Sequence, residues 1–263
     1  MRSALALLLA GGMLAVHAED KPWSNTADVS LVMTDGNSQT QNLSLSNKFV
    51  RTWSRLNLTL SAKAVRAEAT KRTVAWDGVN NVIQVSESTE KSAEAYEAGA
   101  KFKGELSTNF QWYTNLGWFQ DKLSGMDQRL GAGAGFGYTV FKNDTHTLAS
   151  EAGFDYTDEK PVIGDGNSFG GARLFLDYLR PLSATSEFTS SAEMLANLQT
   201  SEDLRANVNL ALASRLSNQL ALKLAYAIKY DGDPVQESVT GTTEKFVYDK
   251  TDTVLSMSLV LNL

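Results

Sequence analysis

Apolar residues recur at every second position over most of the chain, the period of strands whose side chains point alternately to two faces. The run is clearest near the carboxyl end, where Leu255, Met257, Leu259, Leu261 and Leu263 alternate with polar or small residues. A run of this kind is expected of the strand that closes a β-barrel against its first strand. Leu263 departs from the pattern, because outer-membrane barrels usually finish on an aromatic residue.

The same alternation predicts about twelve antiparallel strands. The first hairpin shows Ala27, Val29, Leu31 and Met33, a turn at Asp35-Gly36-Asn37, and a return through Leu43, Leu45 and Phe49; Asp-Gly is a favoured tight-turn pair. Strands three to six follow with Leu56 to Ala64, Tyr96 to Phe102, Phe110 to Trp118 and Leu130 to Tyr138. The seventh to ninth show Leu148 to Tyr156, Ala172 to Tyr178 and Phe188 to Ala196. Leu204 to Leu212, Leu220 to Tyr230 and the closing run complete the set. The fold class predicted is all-β, a transmembrane up-and-down barrel.

Connection lengths support this by parity. Those after even strands are short, such as Phe141 to Thr145 and Arg215 to Gln219, whereas those after odd strands include Ala67 to Ala93, Thr157 to Ser168 and Asp231 to Lys250. Short periplasmic turns alternating with longer external loops is the pattern of bacterial barrels. The segment Val74 to Val85 could hide an extra hairpin or extend strands three and four. Ser92 to Ala98 is the best helix candidate, and a poor one. Trp53, Phe110, Trp112, Trp118, Tyr138, Tyr156, Tyr178, Tyr226 and Tyr230 fall near strand ends, as interfacial girdles do.

The amino end changes the picture. Arg2, an apolar run from Ala4 to Val16 and small residues around His17 predict a secretory signal peptide over residues 1–18, leaving one barrel domain over 19–263. Beyond it no apolar run approaches the roughly 20 residues of a membrane helix. The absence of cysteine removes thiol chemistry, and a net charge of −6 argues against nucleic acid as a partner.

The inward register carries both signs, with Glu151, Asp177, Glu193, Arg173, Arg205 and Lys223 as the candidate lumen charges. Such a lining suits either a pore with a transverse field or a set of salt bridges bracing a narrow barrel. Glu151, Asp177, Arg173 and Arg205 are expected to set ion selectivity if water fills the lumen. Gly131, Gly133, Gly135 and Gly137 alternate inside a strand, so they are no phosphate loop; they should let the wall bend, or let a side chain such as Tyr113 lie flat on it. No catalytic, cofactor or metal site is predicted. His146 is expected to be a solvated turn residue. The acids Asp231, Asp233 and Asp249, or Asp158, Glu159 and Asp165, match no defined calcium loop.

Thr34 to Ser38 after the first strand, with Arg129, the alternate glycines, Phe136 and Tyr138 in the middle, resemble domain-of-unknown-function family 481. Its members are described as salt-induced outer-membrane proteins of Gram-negative bacteria. The resemblance implies an outer-membrane barrel without an established activity. The expected function is a structural component or a narrow, weakly selective channel for ions or small solutes. Its expected partners are outer-membrane lipid, lipopolysaccharide and, during biogenesis, the barrel-assembly machinery. The alternatives are a barrel enzyme acting on outer-leaflet lipid and a soluble periplasmic all-β binding protein.

Overall fold

A computed structural model describes residues 22–34, 39–77, 82–234, 236–238, 245–247 and 250–262. The segment read as a signal peptide, the first turn at Asp35-Gly36-Asn37 and Leu263 lie outside the described residues. The strands are β1 (Trp23–Thr34), β2 (Gln39–Thr52), β3 (Leu56–Asp77), β4 (Val82–Glu105), β5 (Phe110–Asp121), β6 (Met126–Lys142) and β7 (Thr147–Pro161). They continue with β8 (Asn167–Pro181), β9 (Ser186–Asn197), β10 (Leu204–Arg215), β11 (Leu220–Asp231), β12 (Gln236–Ser238), β13 (Lys245–Val247) and β14 (Thr251–Asn262). β1 to β11 and β14 form one closed antiparallel barrel of twelve strands, as the periodicity predicts. β14 pairs with β11 along its length and with β1 from Ala27↔Leu261 to Val29↔Leu259, which closes the sheet. β12 and β13 are a separate hairpin within the connection before β14.

The barrel is inside out relative to a water-soluble one. The apolar set of each strand points away from the axis, with Phe154 70% and Leu255 69% exposed and Leu31, Leu116, Leu174 and Met257 alike. The buried interior holds mostly small or polar residues, among them Ala95, Ala221, Ala227, Glu151, Ser191 and Ser258. Tyr113 and Phe169 are the large rings fully buried inside.

The connections after even strands are tight, and those after β6, β8 and β10 repeat one design. At this turn end, Ser183 Oγ accepts the backbone N–H groups of Thr185 and Ser186, and Ser217 Oγ those of Gln219 and Leu220. Asn143 Oδ1 does the same for Thr145 and His146. A short polar side chain thus replaces missing ladder partners. The opposite, loop end carries the longer connections, including a one-turn 3-10 helix at Lys122–Ser124 capped by Asp121 and stopped at Gly125 with φ 90°.

In the long third connection the extension of strands three and four holds, and the loop bounds and the helix candidate are revised. Ala67 to Ala93 is mostly strand: β3 and β4 run for 22 and 24 residues and stay paired to Asp77↔Val82 past a bulge at Ala67/Glu68. β2 stops pairing at Thr70 and β5 at Ala95, so the far part of this ribbon stands clear of the barrel by roughly 20 Å at strand rise. Ser92 to Ala98, the helix candidate, lies within β4; its alternate alanines carry a strand with small residues on the inner face.

The alternate glycines of β6 are not equivalent. Gly135 pairs directly with Gly153, and at Gly153 an added Cβ would meet Tyr113 Oη at 2.5 Å and the Gly135 Cα at 2.8 Å. The Tyr113 hydroxyl therefore sits over this glycine pair. An added Cβ at Gly131 meets nothing within 4 Å. Gly131→Ala is expected to stay within about 0.5 kcal/mol, and Gly153→Ala to cost about 1–3 kcal/mol by overpacking. The urea midpoint of the refolded barrel measures both; equal shifts would contradict the packing of Tyr113 over the glycine pair.

Candidate functional site

Antiparallel pairing carries the inward positions around the barrel in continuous rows. One runs Lys103, Tyr113, Gly135, Gly153, Arg173, Leu195, Arg205, Asp231 from β4 to β11. The next runs Gln111, Gly137, Glu151, Phe175, Glu193, Asn207, Lys229, Asp252. The alternation of period two thus places Glu151, Asp177, Glu193, Arg173, Arg205 and Lys223 on the inner wall. It does not gather them in one place: five divide among three groups and Asp177 stands apart.

The first group surrounds Glu151, whose side chain is 2% exposed. Lys101 Nζ donates to its Oε2 at 2.6 Å and Arg173 Nη1 to the same oxygen at 3.1 Å, while Lys103 Nζ lies 2.8 Å from Oε1. Arg173 Nε donates to Glu193 at 2.6 Å. Tyr113 and Phe175 line both cations from behind, with the Arg173 guanidinium 5.3 and 5.0 Å and Lys101 Nζ 4.9 and 5.3 Å from their ring centres. Ring faces attract cations, so the aromatic pair holds Lys101 and Arg173 against the wall. Gly135 and Gly153 leave room for the Tyr113 hydroxyl.

The second group lies toward the loop end. Arg129 Nε donates to Glu159 at 2.8 Å, and Arg205 reaches Glu159 with two nitrogens at 3.1 Å each and Asp203 through Nε at 2.9 Å. Arg205 sits over Phe169, and Arg129 and Lys229 over Phe119. The third group is the ion pair of Lys223 with Asp28, which spans β14 at the closing seam. Asp177 is exposed on the wall, in the field of Lys48 and Lys103.

The first two groups, with Asp177, line a cavity of about 620 Å³, whereas Lys223 and Asp28 are not among its lining residues. Its wall begins at Asp231, Pro234, Lys250 and Asp252 at the loop end and reaches Lys48, Lys103, Ala149 and Asp177. Nearer the turn end the inward residues Thr189, Ala213, Ala221, Ser258 and Val260 are buried. The layer of Lys48, Lys103, Glu151 and Asp177 is therefore the floor of the cavity.

Arg173 and Arg205 are held as braces, 10% and 12% exposed, by two and three carboxylates. Lys103, Glu159, Asp203 and Asp231 join the site although sequence reading leaves them in turns and loops. Continued parity, 97-99-101-103 on β4 and 155-157-159 on β7, is the signal that would have found Lys103 and Glu159. His146 is not a solvated residue: it is half-buried on the outer face at the turn end, its Nδ1 2.9 Å from the Tyr178 hydroxyl and its ring edge-on to Phe141. Flanking aromatics that favour the outer rim draw it in. Asp158 and Glu159, grouped as loop acids by sequence, face opposite ways, Asp158 accepting from Ser168 and Glu159 inside with the arginines.

By fold, the protein is a closed twelve-stranded barrel with an apolar exterior and a charged lumen. The family described as "Protein of unknown function, DUF481" matches residues 27–262, and the chain belongs to it. It is 24% identical over 178 residues to the uncharacterized protein YdiY of Escherichia coli strain K12, covering 66% of this chain and 67% of that one. Among solved structures, the translocator domain of autotransporter NalP from Neisseria meningitidis superposes with a TM-score of 0.47 and 12% identity, over 94% of this chain and 90% of that one. The KdgM porin gives 0.44 and 8%, over 91% and 98%.

Proposed function

We propose that the protein is a bacterial outer-membrane β-barrel whose lumen forms a narrow, weakly selective channel for ions or small solutes. The observation that carries this reading is the reversal of polarity, an apolar exterior around a charged cavity. In water the exposed leucines and phenylalanines would be a large aggregation hazard, which weighs against a soluble periplasmic protein. In a bilayer they are the lipid face. Strands of about 9–11 tilted residues suffice to cross a membrane, and most of these strands have at least 12. The turn end, where both chain ends of the barrel meet, faces the periplasm in this reading, and the β3–β4 ribbon faces outward among lipopolysaccharide.

Twelve strands fall between barrels filled by side chains and open porins, and here ion pairs occupy the floor. Conductance is therefore expected to be small, with frequent closures. The reading assigns no catalysis on outer-leaflet lipid, since His146 lies at the turn end, which faces the periplasm here. Single-channel recording on the purified, refolded protein tests the proposal. Small discrete openings support it. A silent bilayer would leave a structural role, and large steady porin currents would contradict the closed floor.

A further inference from the structure

The floor of the cavity presents its charges unevenly. Glu151 is covered, while the two lysines that bind it are not: the Lys101 side chain is 25% exposed and that of Lys103 32%. An ammonium has three N–H donors, and Glu151 engages each of these lysines through one oxygen, Oε2 for Lys101 and Oε1 for Lys103. The two ammoniums are thus already spaced to bridge the two oxygens of one carboxylate. Both lysines line the cavity. Lys48 lines the same level from β2. The opposing charges there are Asp177, the exposed carboxylate of the floor, and Asp155 and Glu193, which line the same cavity.

We propose that this floor is a binding site for the carboxylate groups of small anionic solutes, with Lys101 and Lys103 bridging the incoming carboxylate as they bridge Glu151. The proposal rests on the solute-admitting reading of the lumen. A cation at the deep end of a cavity with low-dielectric walls acts strongly on an approaching anion, and the cavity volume is within the range of small-molecule sites. Phe175 and Tyr113 fix Lys101 from behind, so it has little freedom to lose on binding. Asp177 sets an upper limit on the affinity, because it repels the same anion.

Calorimetric titration of the purified full-length protein in detergent with citrate tests this. Wild type binds citrate, the double variant Lys101→Gln/Lys103→Gln binds at least tenfold more weakly, and Asp177→Asn binds several-fold more tightly. If the double variant does not fold, judged by gel mobility before and after heating, Lys103→Gln alone decides; it leaves Glu151 with Lys101 and Arg173 and is expected to weaken citrate several-fold. No heat of binding with wild type, or unchanged affinity in the lysine variants, overturns the proposal. The titration does not need conduction. A conducting pore that ignores citrate would leave the channel reading and remove this one, and citrate binding without current would do the reverse.

Discussion

Met257→Arg is expected to destabilise the barrel by about 2–4 kcal/mol, the cost of a lipid-facing arginine near the bilayer midplane. Met257 is 60% exposed on the outer face and pairs in register with Leu224, near the middle of β11. Leu259 lies two residues nearer the turn end, so Leu259→Arg should cost less, as the penalty falls toward the interface. The control belongs on the inner face at a site with room. Ser258 is unsuitable, being buried beside Lys223 in the packed turn-end half. Asn207 lines the cavity and pairs with Glu193, so Asn207→Arg is expected to stay within about 0.5 kcal/mol. Urea titration of barrels refolded into lipid vesicles measures all three. Equal costs for Met257→Arg and Asn207→Arg would refute either the assigned register or the membrane embedding.

The outward face was legible in the sequence because a strand repeats every two residues and the exterior demands apolar side chains at every repeat. Leu255 and Phe154 could therefore be assigned with no knowledge of their neighbours. The inner face allowed the list of charges by the same parity, yet not their pairing. Lys101 and Glu151 are fifty residues apart and on strands that do not touch, and their contact depends on how the barrel tilts and closes. Tyr113 on the glycines was legible because a missing side chain on two adjoining strands leaves a recess that a nearby ring can fill.

Strand ends were the weak point for a different reason. Turn chemistry marks the turn-end connections, where Ser183 and Ser217 each follow a leucine and cap the chain reversal. At the loop end Asn197 caps Gln199 and Thr200, and Asp121 caps Ser124, in the same way, yet the longer connections are not bounded so plainly in the sequence. Polar residues there look alike whether they line a ribbon, as in the far parts of β3 and β4, or a true loop, so β3, β4, β7 and β8 run beyond their expected limits. That extension is what brings Glu159 inside to hold Arg129 and Arg205.

Glu151→Gln is expected to have the largest effect on stability of any change in the lumen. One carboxylate neutralises Lys101, Lys103 and Arg173, and Arg173 is pinned by two rings and cannot follow it to a new partner. Removing one side of a buried ion pair typically costs 3–5 kcal/mol, because the charge left behind stays desolvated. Here about 3 kcal/mol is expected, since the partly exposed lysines can turn to water. Glu193→Gln removes a carboxylate held by Arg173 alone and leaves that arginine its bond to Glu151, so roughly 1–2 kcal/mol is expected. The surviving Glu151→Gln barrel should bind citrate more tightly than wild type, because both ammoniums lose their internal competitor. A variant less stable yet tighter for the anion would tie the brace and the binding site to one set of atoms; equal stability of Glu151→Gln and wild type would mean that the three cations are neutralised by other groups.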